Sequence, residues 1–163
     1  MQQIIVRHAA PGDAETVASL IEEIERYYGA THIQPFEERL SQIRTALFAT
    51  PPLAFLVLAI SNDEVVGLAA YSYLWPAAGS THSLFLKELY VRPDGRRQGV
   101  GARLMEEMKA IAARSLGCSR LEWMTDRSND GARAFYRQLG FEEFEGKVNY
   151  RLDADLPQSA PSL

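Results

Sequence analysis

The stretch RRQGVGARLMEEM, residues 96–108, sets two arginines, a glutamine and two glycines against the start of a helical pattern in which Val100, Leu104, Met108 and Ile111 recur at helical spacing. Glycine in or beside a helix start costs about 0.5–1 kcal/mol relative to alanine, so its presence twice asks for a reason. If a strand feeds this loop into the helix, the amides of Gln98 to Ala102 are donors without helical partners at the positive end of the helix dipole, which makes an anion seat. Glycine at 99 and 101 removes side chains that would hold a phosphate away from those amides, and Arg96 and Arg97 add charge at the rim. The alternative is a loop that needs glycine for its own turn. Two commoner phosphate loops are excluded: GVGARL has Leu104 where a dinucleotide fingerprint needs its third glycine, and no Gly-Lys-Ser/Thr triplet occurs.

The chain around this loop has 163 residues, 47% hydrophobic and 23% charged, the size and balance of one globular domain, expected over residues 1–152 with a frayed tail from 153 to 163. A net charge of −4 argues against nucleic acid as a partner and suits small cationic molecules better. The single cysteine, Cys118, permits no internal disulfide, and the opening MQQIIVRHAAPGDAE lacks the basic segment and apolar run of a signal peptide, so the cytoplasm is the expected compartment. PPLAFLVLAI, the longest strongly apolar run, falls well short of the roughly 20 residues of a membrane span and reads as a buried strand.

Residues 3–7 read as a first strand, with Pro11 suited to the opening turn of a helix in which Val17, Leu20, Ile21 and Ile24 share a face and Gly29 supplies the stop. Phe36, Leu40, Ile43 and Leu47 keep the helical period until Pro51 and Pro52. Strands are expected over 53–60 and through VVGLAAYSYLW, joined by the polar turn SNDE, and a further strand over 83–91. After the glycine-loop helix, stopped by Gly117, come a strand in SRLEWMTD, a short helix in NDGARAFYRQLG ending at Gly140, and a terminal hairpin in FEEFEGKVNYRLD turning at Gly146.

Arg96-Arg97-Gln98-Gly99-Val100-Gly101 matches the Arg/Gln-x-x-Gly-x-Gly/Ala signature of the GNAT superfamily of acetyl-CoA-dependent N-acetyltransferases, and a strand-sized interval later NDGARAFYRQLGF resembles its second signature, Asn-x-x-Ala-x-x-Phe-Tyr-x-x-x-Gly-Phe, with the alanine displaced or shared between Ala132 and Ala134. The opening VRHAAPGDAETVASLI is similar to the family's Arg-x-Ala-x-x-x-Asp start, so the resemblance runs to Leu152. It implies an α+β (α/β) fold: a mixed, mostly antiparallel central sheet flanked by helices and splayed between its fourth and fifth strands, where coenzyme A enters. It also implies that backbone groups of Leu89, Tyr90 and Val91 bind the acetyl and pantetheine portion, and that the loop from Arg96 through Arg97, Gln98, Gly99, Val100, Gly101 and Ala102 binds the pyrophosphate. Asn129 would steady the pantetheine arm or the following helix. Family members are frequently homodimers.

The implied reaction moves an acetyl group from acetyl-CoA to a primary amine, directly and without an acyl-cysteine. Tyr136 sits where the family places the tyrosine that protonates the coenzyme A sulfur, with a phenol of ordinary pKa near 10 matched to a thiol leaving group; the alternative is that Phe135 and Tyr136 are a packed aromatic pair. Glu88 stands one residue before the acetyl-binding segment as a candidate base, against a surface ion pair. Lys87 and Glu88 point to opposite sides of an ideal strand, so only one faces the cleft unless a bulge intervenes.

Within the family the chain resembles the diamine acetyltransferases through LIEEIERYYG, LKELYV and the strand of Trp123, but Tyr28 and Lys87 stand where that group tends to carry acids. Two missing carboxylates argue against a polyamine and toward an amine with fewer charges, such as an amino sugar, antibiotic or amino-acid-like compound. Protein amino groups are the other acceptor class, and a coenzyme-A-binding sensor the non-enzymatic one. Tyr27, Tyr28, Tyr73, Trp75 and Lys87 are candidate acceptor contacts, with ordinary packing as the alternative. His8, His32 and His82 lack ligand spacing, so no metal is expected.

Overall fold

The computed structural model describes residues 3–152; the tail expected from 153 to 163 lies outside them. The chain divides into two compact units, Met1–Asp126 and Arg127–Leu163.

In the first unit β1 (Ile5–His8) leads through a 3₁₀ turn at Pro11–Asp13 into α1 (Ala14–Tyr27), α2 (Phe36–Phe48), β2 (Phe55–Ser61), β3 (Glu64–Leu74), β4 (His82–Val91), a second 3₁₀ turn at Pro93–Gly95, α3 (Val100–Arg114) and β5 (Cys118–Trp123). The strands lie in sequence order, β1 to β4 antiparallel and β5 parallel to β4. Parallel strands need a crossover connection, which α3 supplies. This is the mixed, mostly antiparallel sheet the sequence predicts. β2 reads FLVLAIS and is buried on both faces, as an uninterrupted apolar run in a central strand should be.

One face of the sheet packs on α1 and α2. Val17, Leu20 and Ile24 of α1, with Leu40 and Ile43 of α2, close over Leu56, Leu58, Leu68 and Tyr90. Arg39, almost wholly buried, ties the two helices together: its guanidinium donates to the carbonyls of Ala18 (2.8 Å) and Gln34 (2.6 Å) and to Glu22 Oε2 (2.7 Å), so the buried charge is paired. Glu22 also accepts from Arg26, the helical pair expected from their spacing. α1 ends where Gly29 adopts φ 82°, its amide bonding Arg26 O and that of Ala30 bonding Glu25 O, a left-handed exit that glycine makes without strain.

β4 is irregular in two places. Ala70 pairs with Glu88 while the next residue, Tyr71, pairs with Leu86, so Lys87 is the extra residue of a β-bulge. The pairing with β5 runs from His82–Cys118 to Leu86–Trp123, so residues 87–91 extend past the last pair. The two strands part there, at the predicted place.

The second unit carries α4 (Asp130–Gln138), started by Asn129, whose Oδ1 accepts the Ala132 amide at 3.0 Å, and stopped at Gly140 with φ 84°. Arg133 bonds Glu143 at 2.7 Å. The hairpin expected around Gly146 is not formed: residues 141–152 contain no strand, and Phe144, Val148 and Tyr150 are exposed. Their alternation of apolar and polar residues satisfies a strand pattern, but a two-stranded ribbon with no apolar face to cover is marginal in water.

Gly67 of β3 has a packing reason to be glycine. A Cβ there would stand 2.7 Å from the Tyr90 carbonyl oxygen and 3.3 Å from Val100 Cγ1. Gly67→Ala must push β4 from β3 or displace the start of α3, and we expect it to lower stability by about 1–3 kcal/mol, the usual range for overpacking. Urea unfolding of the purified variant checks this; an unchanged midpoint would mean that the strands absorb the methyl group.

Candidate active site

The bulge at Lys87 decides which β4 side chains share a face. Leu84 and Leu86 stand opposite Tyr73 and Tyr71, and the Tyr71 hydroxyl feels the charges of Glu107 and Arg114 on α3. Beyond the bulge, Glu88 and Tyr90 stand opposite Ala70 and Leu68, both packed with the α1 and α2 core. Even-numbered β4 residues therefore change faces at Lys87, and Glu88 comes under the end of α1. The Tyr28 hydroxyl donates to its carboxylate, as does the Leu89 amide. Burial raises the Glu88 pKa from its ordinary 4.5, against the opposing pull of the Lys87 charge and these two hydrogen bonds. Burial, then the Glu88 charge, raises that of Tyr28. Half-buried Glu88 is thus an acid held back from ionising on the open part of β4, beside an aromatic hydroxyl. Lys87, the residue looped out, is exposed.

β4 then delivers the chain into the glycine loop. Arg92 clamps its exit: the Arg92 guanidinium makes two bonds to Glu23 of α1, 3.0 and 2.7 Å, and a third to Val65 O at 2.7 Å. Arg97 and Gly99 both take left-handed backbone, φ 59° and 82°. Such a conformation costs a non-glycine residue roughly 1–2 kcal/mol, and alternation of this kind turns successive amides toward one point. The first main-chain bond into α3 is from Arg103 N to Gly99 O at 3.0 Å, so the amides of Val100, Gly101 and Ala102 precede the helical ladder. No side chain caps this end, and the space where a Gly99 Cβ would stand is open to 4 Å. Gln98 Nε2 folds back onto Asp94 O at 2.5 Å. Arg96 differs from the rim position expected of it: its Nε donates to Val91 O at 3.1 Å, and the guanidinium lies 5.0 Å from the Tyr27 ring centre. Tyr27 in turn contacts Tyr28 and Tyr90, with centroids 5.3 and 6.3 Å apart. Arg96 thereby joins the loop to α1, and both Arg96 and Arg97 remain exposed.

The structure brings together Tyr27, Tyr28, Glu88, Tyr90 and the loop, but not the whole predicted acceptor wall. Tyr73 belongs to the other face of the sheet, edge-on to Phe55, Tyr71 and His82 at 5.7, 5.9 and 5.1 Å. Trp75 is 71% exposed and donates to Ser80 O at 3.0 Å. The bulge that turns Glu88 toward α1 leaves Tyr73 on the α3 side, which no strand alternation read from sequence can show. Buried Tyr71, its hydroxyl 3.0 Å from His8 Nε2, has a pKa pushed up to about 12, chiefly by burial. His82 bonds Ser115 at 2.9 Å, and Cys118 Sγ lies 3.4 Å from Arg120 O. Among the described residues no group of His, Cys, Asp or Glu side chains could hold a metal ion.

In the second unit, Asn129 caps α4, and Tyr136 lies in that helix with its ring 5.1 Å from that of Phe135, its carbonyl accepting the Phe141 amide. Sequence reasoning missed Gly67 and the Arg92–Glu23 clamp. The signal for the first was a glycine inside an apolar strand; for the second there was none, since a pair so distant in sequence meets only through the fold.

Two parallel strands, β4 and β5, that part beyond Leu86, with a glycine-rich loop and an uncapped helix directly after β4, define the class: a mixed-sheet fold with one strand edge left open. Residues 17–141 match the model of the Acetyltransferase (GNAT) family, and the chain belongs to that family. It is similar to an uncharacterized N-acetyltransferase of Bacillus subtilis, 26% identical with 91% of this chain and 96% of that one covered. It is likewise similar to the thialysine N-epsilon-acetyltransferase of Bos taurus, 26% identical with 95% of each covered. A solved aminoglycoside N-acetyltransferase in complex with CoA shares the fold with a TM-score of 0.75 at 21% identity, over 94% of this chain and 97% of that one.

The raised pKa of Glu88 has a thermodynamic consequence. Between the ordinary 4.5 and the raised folded value, the folded state holds more protons than the unfolded one, so this residue's contribution to stability falls as pH rises through that window. Glu88→Gln removes the fall. Urea midpoints compared at about pH 4 and about pH 7 should drop less in the variant than in the wild type; equal drops would show that Glu88 is not desolvated in solution.

Proposed function

We propose that the protein transfers the acetyl group of acetyl-CoA directly to a primary amine of a small molecule, with residues 1–152 acting as one N-acetyltransferase domain. The observation that carries this is the open β4 edge running straight into amides ahead of a helical ladder. The chemistry of the donor set fits a pyrophosphate: several main-chain N–H groups at a helix start, two residues in left-handed backbone, and the exposed guanidinium groups of Arg96 and Arg97. Backbone groups of Leu89, Tyr90 and Val91 would hold the acyl and pantetheine part along the open edge, and residues 96–102 the phosphates. The bound thioester supplies an acyl carbon activated toward amines. Glu88, with Tyr28 on its carboxylate, takes the proton that an incoming ammonium must lose. Tyr136 gives a proton to the departing thiolate. Asn129 supports that role by fixing the start of the helix that carries Tyr136. Small amines are the acceptors favoured because the relatives named for a substrate act on thialysine and aminoglycosides. Tyr27, Tyr28 and Lys87 are carried as acceptor contacts by their place around Glu88; Tyr73, on the other face of the sheet, and Trp75 are not. The net charge of −4 suits such a partner better than nucleic acid, and no helix among the described residues is long and apolar enough to cross a membrane. The reading includes a cytoplasmic homodimer, the state frequent in the family.

The test is release of free thiol from acetyl-CoA across a panel of small amines, with mass analysis of products. Release only with proteins or peptides would replace the acceptor class; binding of coenzyme A with no acceptor-dependent release would make the protein a sensor. Tyr136→Phe should lower kcat by roughly 10²-fold or more, within the range for a general acid, and an unchanged kcat would remove the assignment. Gly99→Ala, forced into left-handed backbone at a cost of about 1–2 kcal/mol, should weaken coenzyme A binding in calorimetry by roughly tenfold. Unaltered affinity would place the phosphates elsewhere.

A further inference from the structure

The carboxylate assigned as the base is held by a tyrosine that stands at the end of a helix. Tyr28 follows the last residue of α1 and is 63% exposed; its amide bonds Ile24 O at 3.0 Å, and the chain turns away at Gly29 directly after it. Its side chain nonetheless reaches β4, where the hydroxyl donates to Glu88. An exposed side chain at a helix end has rotamer freedom to lose, so the ring must be held if the hydroxyl is to keep its place.

The contacts that hold it lead to the glycine loop. Tyr27 packs edge-on against Tyr28, with ring centroids 5.3 Å apart and planes at 76°, and against Tyr90 of β4 at 6.3 Å. Tyr27 is itself 55% exposed. Over its ring, 5.0 Å from the centre, lies the Arg96 guanidinium, fixed in turn by the bond from its Nε to Val91 O at 3.1 Å. A cation is attracted to the negative face of a tyrosine ring, and edge-to-face pairing of two rings has a preferred geometry. One line of contacts therefore runs from Arg96 through Tyr27 and Tyr28 to the Glu88 carboxylate.

This line transmits position. Burial raises the Glu88 pKa, and the groups that oppose it are the Lys87 charge on β4 itself, the Leu89 amide and the Tyr28 hydroxyl. β3 presents Ala70 opposite Glu88, and the end of α1 presents Tyr28 with Tyr27 behind it. The charge of Arg96 acts on Tyr90, a phenol raised chiefly by burial and touched also by the charges of Glu23 and Arg92. Donation from Tyr28 favours the ionised form of Glu88, so loss of that hydrogen bond makes the acid still harder to ionise.

We propose that Arg96 is a positioning residue for Glu88: by covering the Tyr27 ring it keeps Tyr28 turned so that the Tyr28 hydroxyl stays on the carboxylate. The proposal rests on the transferase reading above and deepens it, since it gives a residue of the phosphate loop a second task in the proton-transfer half of the site.

The deciding measurement is the titration of the Glu88 carboxyl, followed by carbon NMR in protein labelled at the glutamate carboxyl carbons, with its signal assigned by its loss in Glu88→Gln. Tyr28→Phe, which removes the hydroxyl, should raise the midpoint and so sets the scale. Arg96→Met and Tyr27→Leu should each raise it as well, whereas Arg96→Lys and Tyr27→Phe, which keep the cation and the ring, should stay closer to wild type. Arg96→Met made on Tyr27→Leu should add nothing, because the effect passes through the ring. An unmoved midpoint in Arg96→Met overturns the proposal, even where its urea midpoint falls, since a merely structural contact would do the same. A further shift in the double variant also overturns it, because Arg96 would then act by its charge alone. Arg96→Gln takes the place of Arg96→Met should the latter not fold.

In thiol-release assays at saturating acetyl-CoA, kcat/KM for the amine should drop from its high-pH plateau to the acid limb roughly two- to fivefold more in Arg96→Met than in wild type, the worth of an exposed cation–π contact. Equal drops overturn the proposal. Should no amine release thiol, the transferase reading fails by itself, and the carboxyl titration still decides whether Arg96 positions Glu88.

Discussion

One extra residue in β4 sets the chemistry of the first unit. Without the bulge at Lys87, strict alternation would put Leu84, Leu86, Glu88 and Tyr90 on one face, and a carboxylate would lie in the apolar layer beneath α3. The bulge lets Leu84 and Leu86 fill that layer while Glu88 and Tyr90 face α1, where Tyr28 and the Leu89 amide can receive the carboxylate. It also coincides with the place where β4 leaves β5. The residue that turns the side chains over thus stands at the point where the backbone edge becomes open. A sheet continuous to its edge would have used those backbone groups in a ladder.

The loop beyond β4 depends on restraints drawn from three directions. Gly67 lets the Tyr90 carbonyl and Val100 approach β3 more closely than any side chain would allow. Arg92 ties the end of β4 to Glu23 of α1 and to Val65 O. Arg96 reaches back to Val91 O and lies over Tyr27. These contacts hold a backbone in which Arg97 keeps the left-handed conformation that costs an ordinary residue free energy, and strain of that kind is sustained where neighbours over-determine the geometry. The outcome is a set of amides aimed outward from a rigid base. Electrostatic recognition by main-chain dipoles works best in that state, because no reorganisation is needed when an anion arrives.

Much of the fold was legible in residue order, and the reasons differ from element to element. β2 announces itself as an apolar run closed by Ser-Asn-Asp-Glu, and α3 by four apolar residues in period behind two glycines. The terminal hairpin was misread because FEEFEGKVNYRLD has the alternation of a strand pair, and alternation reports what a segment could pair with, not whether a partner is present. Among the candidate site residues, the loop and Glu88 were singled out by spacing and family resemblance. That Tyr73 and Glu88 lie on opposite faces was not, because a bulge leaves no mark in the order of residues. Asn129 could be read as either a ligand contact or a helix start, and its bond to Ala132 N accounts for the second.

The sequence by itself determined the class of fold, the glycine loop at the start of α3 and the kind of chemistry, because these come from periodicity, from glycine's access to left-handed backbone and from motifs a few residues long. Only the tertiary structure decided which face Glu88 presents, that Arg96 reaches back to Val91 O and lies over Tyr27, and that Glu25 alone of its neighbours keeps an unanswered carboxylate oxygen. Each of these depends on groups remote in sequence that become neighbours when the sheet and α1 close on one another, and the balance of burial and pairing at such a point belongs to no single segment.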